Sequence, residues 1–184
     1  MGIVEVTLAM SLDGLITGPD PTAEHPLGVY GDDIIRPGGE RWMVDESIAN
    51  TGAVVAGRTV YDHTGGWGDE PPFRMPVFVP THRMLPPRVA GATTFTFVPD
   101  VHAAVAAARE AAGGKNVLIM GGAATANQAI RAGLVDELNL HIEPVLLGAG
   151  ARLFADLDRT PIRLERVRLI EGPATTHVRF RVLH

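Results

Sequence analysis

The chain has 184 residues, of which 46% are hydrophobic and 20% charged, with a formal net charge of −5 and no cysteine. That is the size of one ordinary domain, able to bury roughly 70% of its unfolded surface in a single core. The acidic balance gives no electrostatic reason for a nucleic-acid partner, and the missing cysteines exclude disulfides, thiolate nucleophiles and Cys-type zinc sites.

The opening segment, residues 3–9, alternates Ile3, Val4, Val6 and Leu8 around Glu5 and Thr7 and runs into Ser11-Leu12-Asp13-Gly14, which reads as a strand and a tight turn. It lacks the basic and long apolar regions of a signal peptide, so the expected compartment is the cytoplasm. Residues 18–39 are rich in Pro, Gly and Asp with no sustained period, and read as a long surface loop of the kind that is usually functional. Residues 40–50 place Trp42, Met43 and Ile48 at helical spacing before Thr51-Gly52, which suits a helix with a C-terminal glycine.

Brief apolar runs at 53–56, 75–80, 93–98 and 116–120 read as buried strands, with the alanine-rich 101–112 between the last two and a helix at 123–131. Strands alternating with helices imply a largely parallel sheet covered on both faces. Leu138, Leu140 and Ile142 then alternate with polar residues, the pattern of a half-exposed strand. Residues 162–170 and 176–183 flank Glu171-Gly172-Pro173-Ala174 as a closing antiparallel hairpin. No stretch approaches the ~20 apolar residues of a membrane span.

Three places have phosphate-binding character. Gly57, Arg58 and Thr59 follow an apolar run and open a helical turn, where glycine lets backbone approach and exposed N–H groups favour an anion. A plain strand-to-helix turn is the equal alternative. Gly121, Gly122, Ala123, Ala124 and Thr125 repeat that arrangement with two glycines, and match neither a dinucleotide fingerprint nor a P-loop. Thr81, His82 and Arg83 end another strand, and in open α/β sheets ligands bind at the carboxyl ends of strands. The acid candidates are Asp13, Asp45 and Glu46, while Trp42 and Trp67 offer flat apolar surfaces to a ring-shaped substrate. The histidines have neither the spacing nor the context of a metal site, and no GxSxG elbow occurs.

Taken in order, Met10-Ser-Leu-Asp-Gly-Leu-Ile16, Gly57-Arg-Thr-Val-Tyr61, Thr81-His-Arg83, Gly121-Gly-Ala123, Gly133-Leu-Val-Asp-Glu-Leu138, Pro144-Val-Leu-Leu-Gly-Ala-Gly150 and Arg152-Leu-Phe154 resemble the reductase domain of the riboflavin-biosynthesis deaminase-reductases, within the dihydrofolate reductase superfamily. The resemblance runs from about residue 3 to the C-terminus. It implies one domain over residues 1–184, a three-layer αβα fold with a mostly parallel central sheet and a C-terminal antiparallel hairpin.

It also implies NADPH as hydride donor, with the pyrophosphate near Gly57 to Thr59 and Gly121 to Thr125 and the 2′-phosphate near Thr81 to Arg83. It places the Asp13 turn at the nicotinamide and substrate. From the residues themselves, Asp13 and Asp45 are the candidate catalytic carboxylates, Asp45 being the one a dihydrofolate reductase would need from the 40–50 helix, and Ser11, Trp42 and Trp67 are the candidates for the substrate side. A cis bond would join Gly121 to Gly122, and a homodimer would form through the C-terminal sheet. The activity implied is reduction of a small pyrimidine or pterin-like metabolite, similar to 5-amino-6-(5-phosphoribosylamino)uracil reduction. The rivals are a dihydrofolate reductase and a non-catalytic nucleotide or small-ligand binder that sequesters its ligand. The chain departs from the resembled family at Met120, where a glutamate is common, and over residues 62–73.

Overall fold

The computed structural model describes residues 2–20, 41–155, 157 and 161–184, with residues 41–45 described by backbone alone. Nine strands form one sheet: β1 (Val4–Ser11), β2 (Thr51–Ala56), β3 (Val77–Pro80), β4 (Arg88–Ala90), β5 (Thr93–Val98), β6 (Asn116–Met120), β7 (Glu137–Glu143), β8 (Arg163–Glu171) and β9 (Thr176–Leu183). Their order is β4-β5-β3-β2-β6-β1-β7-β9-β8. From β5 to β7 every pair is parallel. The outer pairs β4·β5, β7·β9 and β8·β9 are antiparallel. The mostly parallel sheet with a closing antiparallel hairpin is therefore as the sequence suggested. The short edge strand β4 was not anticipated, because three residues are too few to show a period.

The helices are α1 (Arg41–Asn50), α2 (Arg58–His63), α3 (Val101–Ala111) and α4 (Ala123–Arg131), and Gly65–Trp67 form a 3-10 turn. Asp100 starts α3 by accepting from Ala103 N at 2.8 Å, a side-chain cap that satisfies one of the orphan amides of a helix start. Its buried residues Val101, Ala104, Val105 and Ala108 recur at helical spacing, and the alanines let the helix lie close on the sheet. They join Val4, Val6, Val55, Ile119 and Leu138 in the larger core. The opposite sheet face carries a smaller core of Val54, Val77, Val79, Phe95, Phe97 and Leu118.

That second face changes character across the sheet. Side chains alternate along a strand, so β1 and β7 turn Val6, Leu8, Leu138 and Leu140 to the larger core and Glu5, Thr7, Asn139 and Glu143 to the other side. Three of these four are nonetheless buried, Glu5 and Asn139 at 1% exposure and Glu143 at 5%, and Thr7 is partly exposed. The reading of β7 as a half-exposed strand is thus corrected. β7 lies between β1 and β9, and α1 crosses its polar side, since Ser47 donates to Glu5 Oε1 at 3.2 Å and Arg168 of β8 reaches Glu46 at 3.0 Å. Burial raises the pKa of Glu5, opposed by Arg179 and by the Ser47 hydrogen bond. No described helix is long and apolar enough to cross a membrane.

Candidate functional site

Because the strands from β5 to β7 run the same way, Val98, Pro80, Ala56, Met120, Ser11 and Glu143 end along one edge of the sheet. The chain leaves β2 toward β3 on one side and β6 toward β7 on the other. Such a reversal opens a crevice at the carboxyl ends where ligands bind.

Two strand-to-helix turns meet at this point. Gly57 follows β2, and a Cβ there would lie 2.8 Å from Thr125 Oγ1 and 3.0 Å from Gly121 O. Gly121 follows β6, and a Cβ there would strike Val60 Cγ2 at 2.9 Å. The two turns are therefore in backbone contact, which glycine alone permits. Gly122 is the N-cap of α4 and no described side chain caps it. The amides of the first turn thus have neither an intrahelical acceptor nor, among the described residues, a side-chain one, and a Cβ built on Gly122 meets Gly57 Cα, Thr125 Oγ1 and Val60 Cγ2 at 3.8 Å, ordinary contact without a clash. One expectation fails here: no described peptide bond is cis, and Gly121 and Gly122 turn the chain with φ values of 75° and 80° instead.

The third strand end joins the other two through Arg58. Its Nη1 donates to Thr81 Oγ1 and to Arg83 O, each at 3.4 Å, while its Nε donates to both oxygens of Asp62 at 2.8 Å. The guanidinium lies 5.9 Å from the Phe97 ring centre. Thr81 is 8% exposed and its Oγ1 accepts from Arg83 N at 3.1 Å. His82, Arg83 and Thr59 are exposed, so donors are presented to solvent above a fixed loop. Gly57, Arg58, Thr59, Thr81, His82, Arg83 and the 121–125 turn, singled out separately in the sequence, share one edge of the sheet.

Around β1 a different arrangement appears. Ser11 is fully buried and donates to Asp13 Oδ1 at 2.6 Å. Asp13 also accepts from Leu147 N at 3.2 Å and Gly148 N at 2.8 Å, and Arg152 Nη1 donates to Asp13 O at 3.0 Å. These bonds, the Ser11 hydroxyl first and then the Gly148 amide, lower the Asp13 pKa to about 2. The carboxylate therefore clasps the segment after β7 to the first turn. That role was not legible in the sequence, since its partners lie more than 130 residues away.

Trp67 is not brought to Ser11 and Asp13. It stacks on Phe95 at 6.1 Å with planes 4° apart and meets Phe73 edge-on at 5.0 Å. β5 is four strands from β1, about 19 Å at the usual strand spacing. The side chains of Trp42 and Asp45 lie outside the described residues. Among the described residues no group of three His, Asp or Glu side chains could hold a metal ion.

The family model of the RibD C-terminal domain matches residues 3–177. The chain belongs to that family. Among solved structures, this RibD C-terminal-type domain is similar to a candidate riboflavin biosynthesis protein from Shewanella sp. PV-4, with 22% identity, 99% of each chain covered and a TM-score of 0.76. It is similar to the Acinetobacter baumannii RibD at 17% identity and a TM-score of 0.71, covering 100% of this chain and 59% of that one. The Enterococcus faecalis dihydrofolate reductase, solved with NADP(H) and RAB-propyl, matches at 15% identity and a TM-score of 0.67 over 100% and 98% of the two chains. At these identities the likeness is one of fold, which is dihydrofolate-reductase-like. No curated protein sequence matches the chain.

Proposed function

We propose that this domain is an NADPH-dependent reductase of a small, flat, pyrimidine- or pterin-like metabolite and works as a homodimer. The observation that carries the reading is the meeting of Gly57, the uncapped α4 start at Gly122 and the Thr81–Arg83 loop at one edge of the sheet. What supports the cofactor is this chain's own geometry: two glycine turns in backbone contact, and a helix start that no described side chain caps and that favours an anion. Gly121 to Thr125 and Gly57 to Thr59 hold the pyrophosphate. Arg83, with Thr81 and His82, reads the 2′-phosphate, and Arg58 braces that loop. NADPH supplies the hydride when bound.

The remaining work falls to binding, orientation and exclusion of water. Asp13, with a pKa of about 2, is ionised at neutral pH and acts by holding the turn and the 147–148 amides beside the substrate end of the site, not by giving a proton. The test is a thermal-shift comparison of NADPH and NADH, because a ligand that binds only the folded state raises the melting temperature. Stabilisation by NADPH with much less by NADH supports the reading, and equal or absent shifts refute it.

A further inference from the structure

Arg58 and Asp62, four residues apart on α2, carry opposite charges beside the end of β3. Arg58 Nε donates to both carboxylate oxygens of Asp62 at 2.8 Å, and the pair is partly solvated, with side-chain exposures of 24% and 49%. Solvated ion pairs at this helical spacing add little to stability, so the consequence of this one lies in geometry. The guanidinium is gripped along its Nε edge, lies 5.9 Å from the Phe97 ring centre, and turns its Nη1 to the loop after β3.

That loop is held by its backbone. Arg83 N donates to Thr81 Oγ1 at 3.1 Å, Thr81 Oγ1 donates to Arg83 O at 3.3 Å, and Arg58 Nη1 donates to the same two oxygens at 3.4 Å each. Thr81 is buried while Arg83 is exposed, so the main chain is fixed and the Arg83 guanidinium reaches outward. The two Nη1 bonds lie near the outer limit for N–H···O. A small swing of Arg58 into another rotamer loses both, and the shorter bonds to Asp62 keep it in reach. A planar fork can serve a carboxylate on one edge and a loop on the other, which a lysine ammonium cannot.

We propose that Asp62 is a positioning residue for the cofactor's 2′-phosphate: through Arg58 it sets the Arg83 main chain, and so the place from which the Arg83 guanidinium meets the phosphate. This deepens the NADPH reading and rests on it. Asp62 is itself an anion, so two effects of opposite sign are in play. As a bare charge it repels a phosphate, and its removal would tighten binding. As the brace of Arg58 it orders the phosphate's ligand, and its removal weakens binding. Asp62 is half open to water, where a charge is screened at about 0.15 M salt, so positioning wins. The loss is bounded above by what Arg83 itself contributes.

The experiment titrates the parent, Asp62→Ala, Asp62→Glu, Arg83→Ala and the Asp62→Ala, Arg83→Ala double variant with 2′,5′-ADP and 5′-AMP, which isolate this phosphate from the rest of the cofactor, at about 0.15 M salt. Asp62→Ala should weaken 2′,5′-ADP binding by about three- to tenfold and leave 5′-AMP unchanged, with the melting temperature lowered by no more than about 2 °C. Asp62→Glu, a carboxylate at the same spacing, should restore the affinity. Because Asp62 acts through Arg83, Asp62→Ala should cost nothing further in the Arg83→Ala background. Hydrogen exchange followed by NMR reads the brace without any ligand: the Arg58 Nε–H and the Arg83 amide should exchange faster in Asp62→Ala than in the parent. Unchanged or tighter 2′,5′-ADP binding by Asp62→Ala, an equal loss in both Arg83 backgrounds, or unchanged exchange at Arg83 overturns the proposal. A parent that binds 2′,5′-ADP no better than 5′-AMP sinks the NADPH reading instead, and the exchange rates alone then decide whether Asp62 braces the loop.

Discussion

Replacing Gly122 by alanine, with Gly133→Ala as control, separates a functional glycine from a capping one. Both glycines have positive φ, 80° and 65°, and a Cβ at Gly133 meets nothing within 4 Å while one at Gly122 meets only contacts of 3.8 Å. Neither change creates a clash, but Gly122 at φ 80° and ψ 110° lies outside the left-handed basin, so its substitution costs at least as much backbone strain as that of Gly133. A non-glycine residue there costs roughly 1–2 kcal/mol, of which about 0.4–1 kcal/mol is returned through a less flexible unfolded chain. The net loss of about 1 kcal/mol lowers the melting temperature by about 2–4 °C in a domain of this size.

The two differ in what lies in front of them. Gly122 caps the start of α4, whereas Gly133 follows its end, about 14 Å away along nine residues. A methyl at Gly122 disturbs a charge-assisted bond from the helix start to phosphate, worth about 1.5–3 kcal/mol, so NADPH affinity should fall by one to two orders of magnitude. Isothermal titration and a melting curve on both variants give the comparison. If Gly122→Ala binds NADPH like the parent, or Gly133→Ala loses as much affinity, the phosphate site is not at this turn. The bulkier Gly122→Val should abolish binding while the domain still folds.

Three further outcomes follow from the same geometry. Asp13→Asn should keep NADPH affinity within a few-fold and lower turnover strongly, read by steady-state kinetics. Because the Asp13 pKa is lowered from 3.8 to about 2, its contribution to stability is present above pH 3.8 and fades as pH falls toward 2, so acid melting curves of the variant should be flatter there. Glu5 is shifted the other way, by burial. Its ionisation therefore weakens the fold as pH rises through its raised pKa, and Glu5→Gln should raise the melting temperature at pH 8 relative to the parent more than at pH 4. Light scattering should find a dimer at tens of micromolar, and Leu164→Glu with Leu169→Glu, on the exposed edge strand β8, should give a monomer.

Much of this was legible in the sequence because parallel strands buried on both faces read as short apolar runs. Residues 93–98 and 116–120 coincide with β5 and β6, and α4 begins and ends where its glycine and polarity mark it. The strand-glycine-helix pattern named Gly57 and Gly121 before any geometry was known. The clasp of Asp13 on Leu147 and Gly148 was not legible, since amides far along the chain leave no trace in local pattern. β7 misled for a physical reason: alternation of Leu with Glu, Asn and His ordinarily means one wet face, and here that face is buried beneath α1 with its polar atoms short of partners. Trp67 looked like a ligand platform, and the structure gives it to the Phe73 and Phe95 cluster.

The central claim is that the crevice holds NADPH, with Arg83 and Thr81 at its 2′-phosphate. The direct measurement is a titration of the parent and of Arg83→Ala with NADPH and NADH. A guanidinium meets a phosphate through charge-assisted hydrogen bonds worth about 1.5–3 kcal/mol each, so the parent should prefer NADPH and the variant should lose about one to two orders of magnitude in NADPH affinity. Its NADH affinity should stay as in the parent. A parent with no preference, or a variant that loses both cofactors in parallel, would contradict the account and turn attention to Arg58.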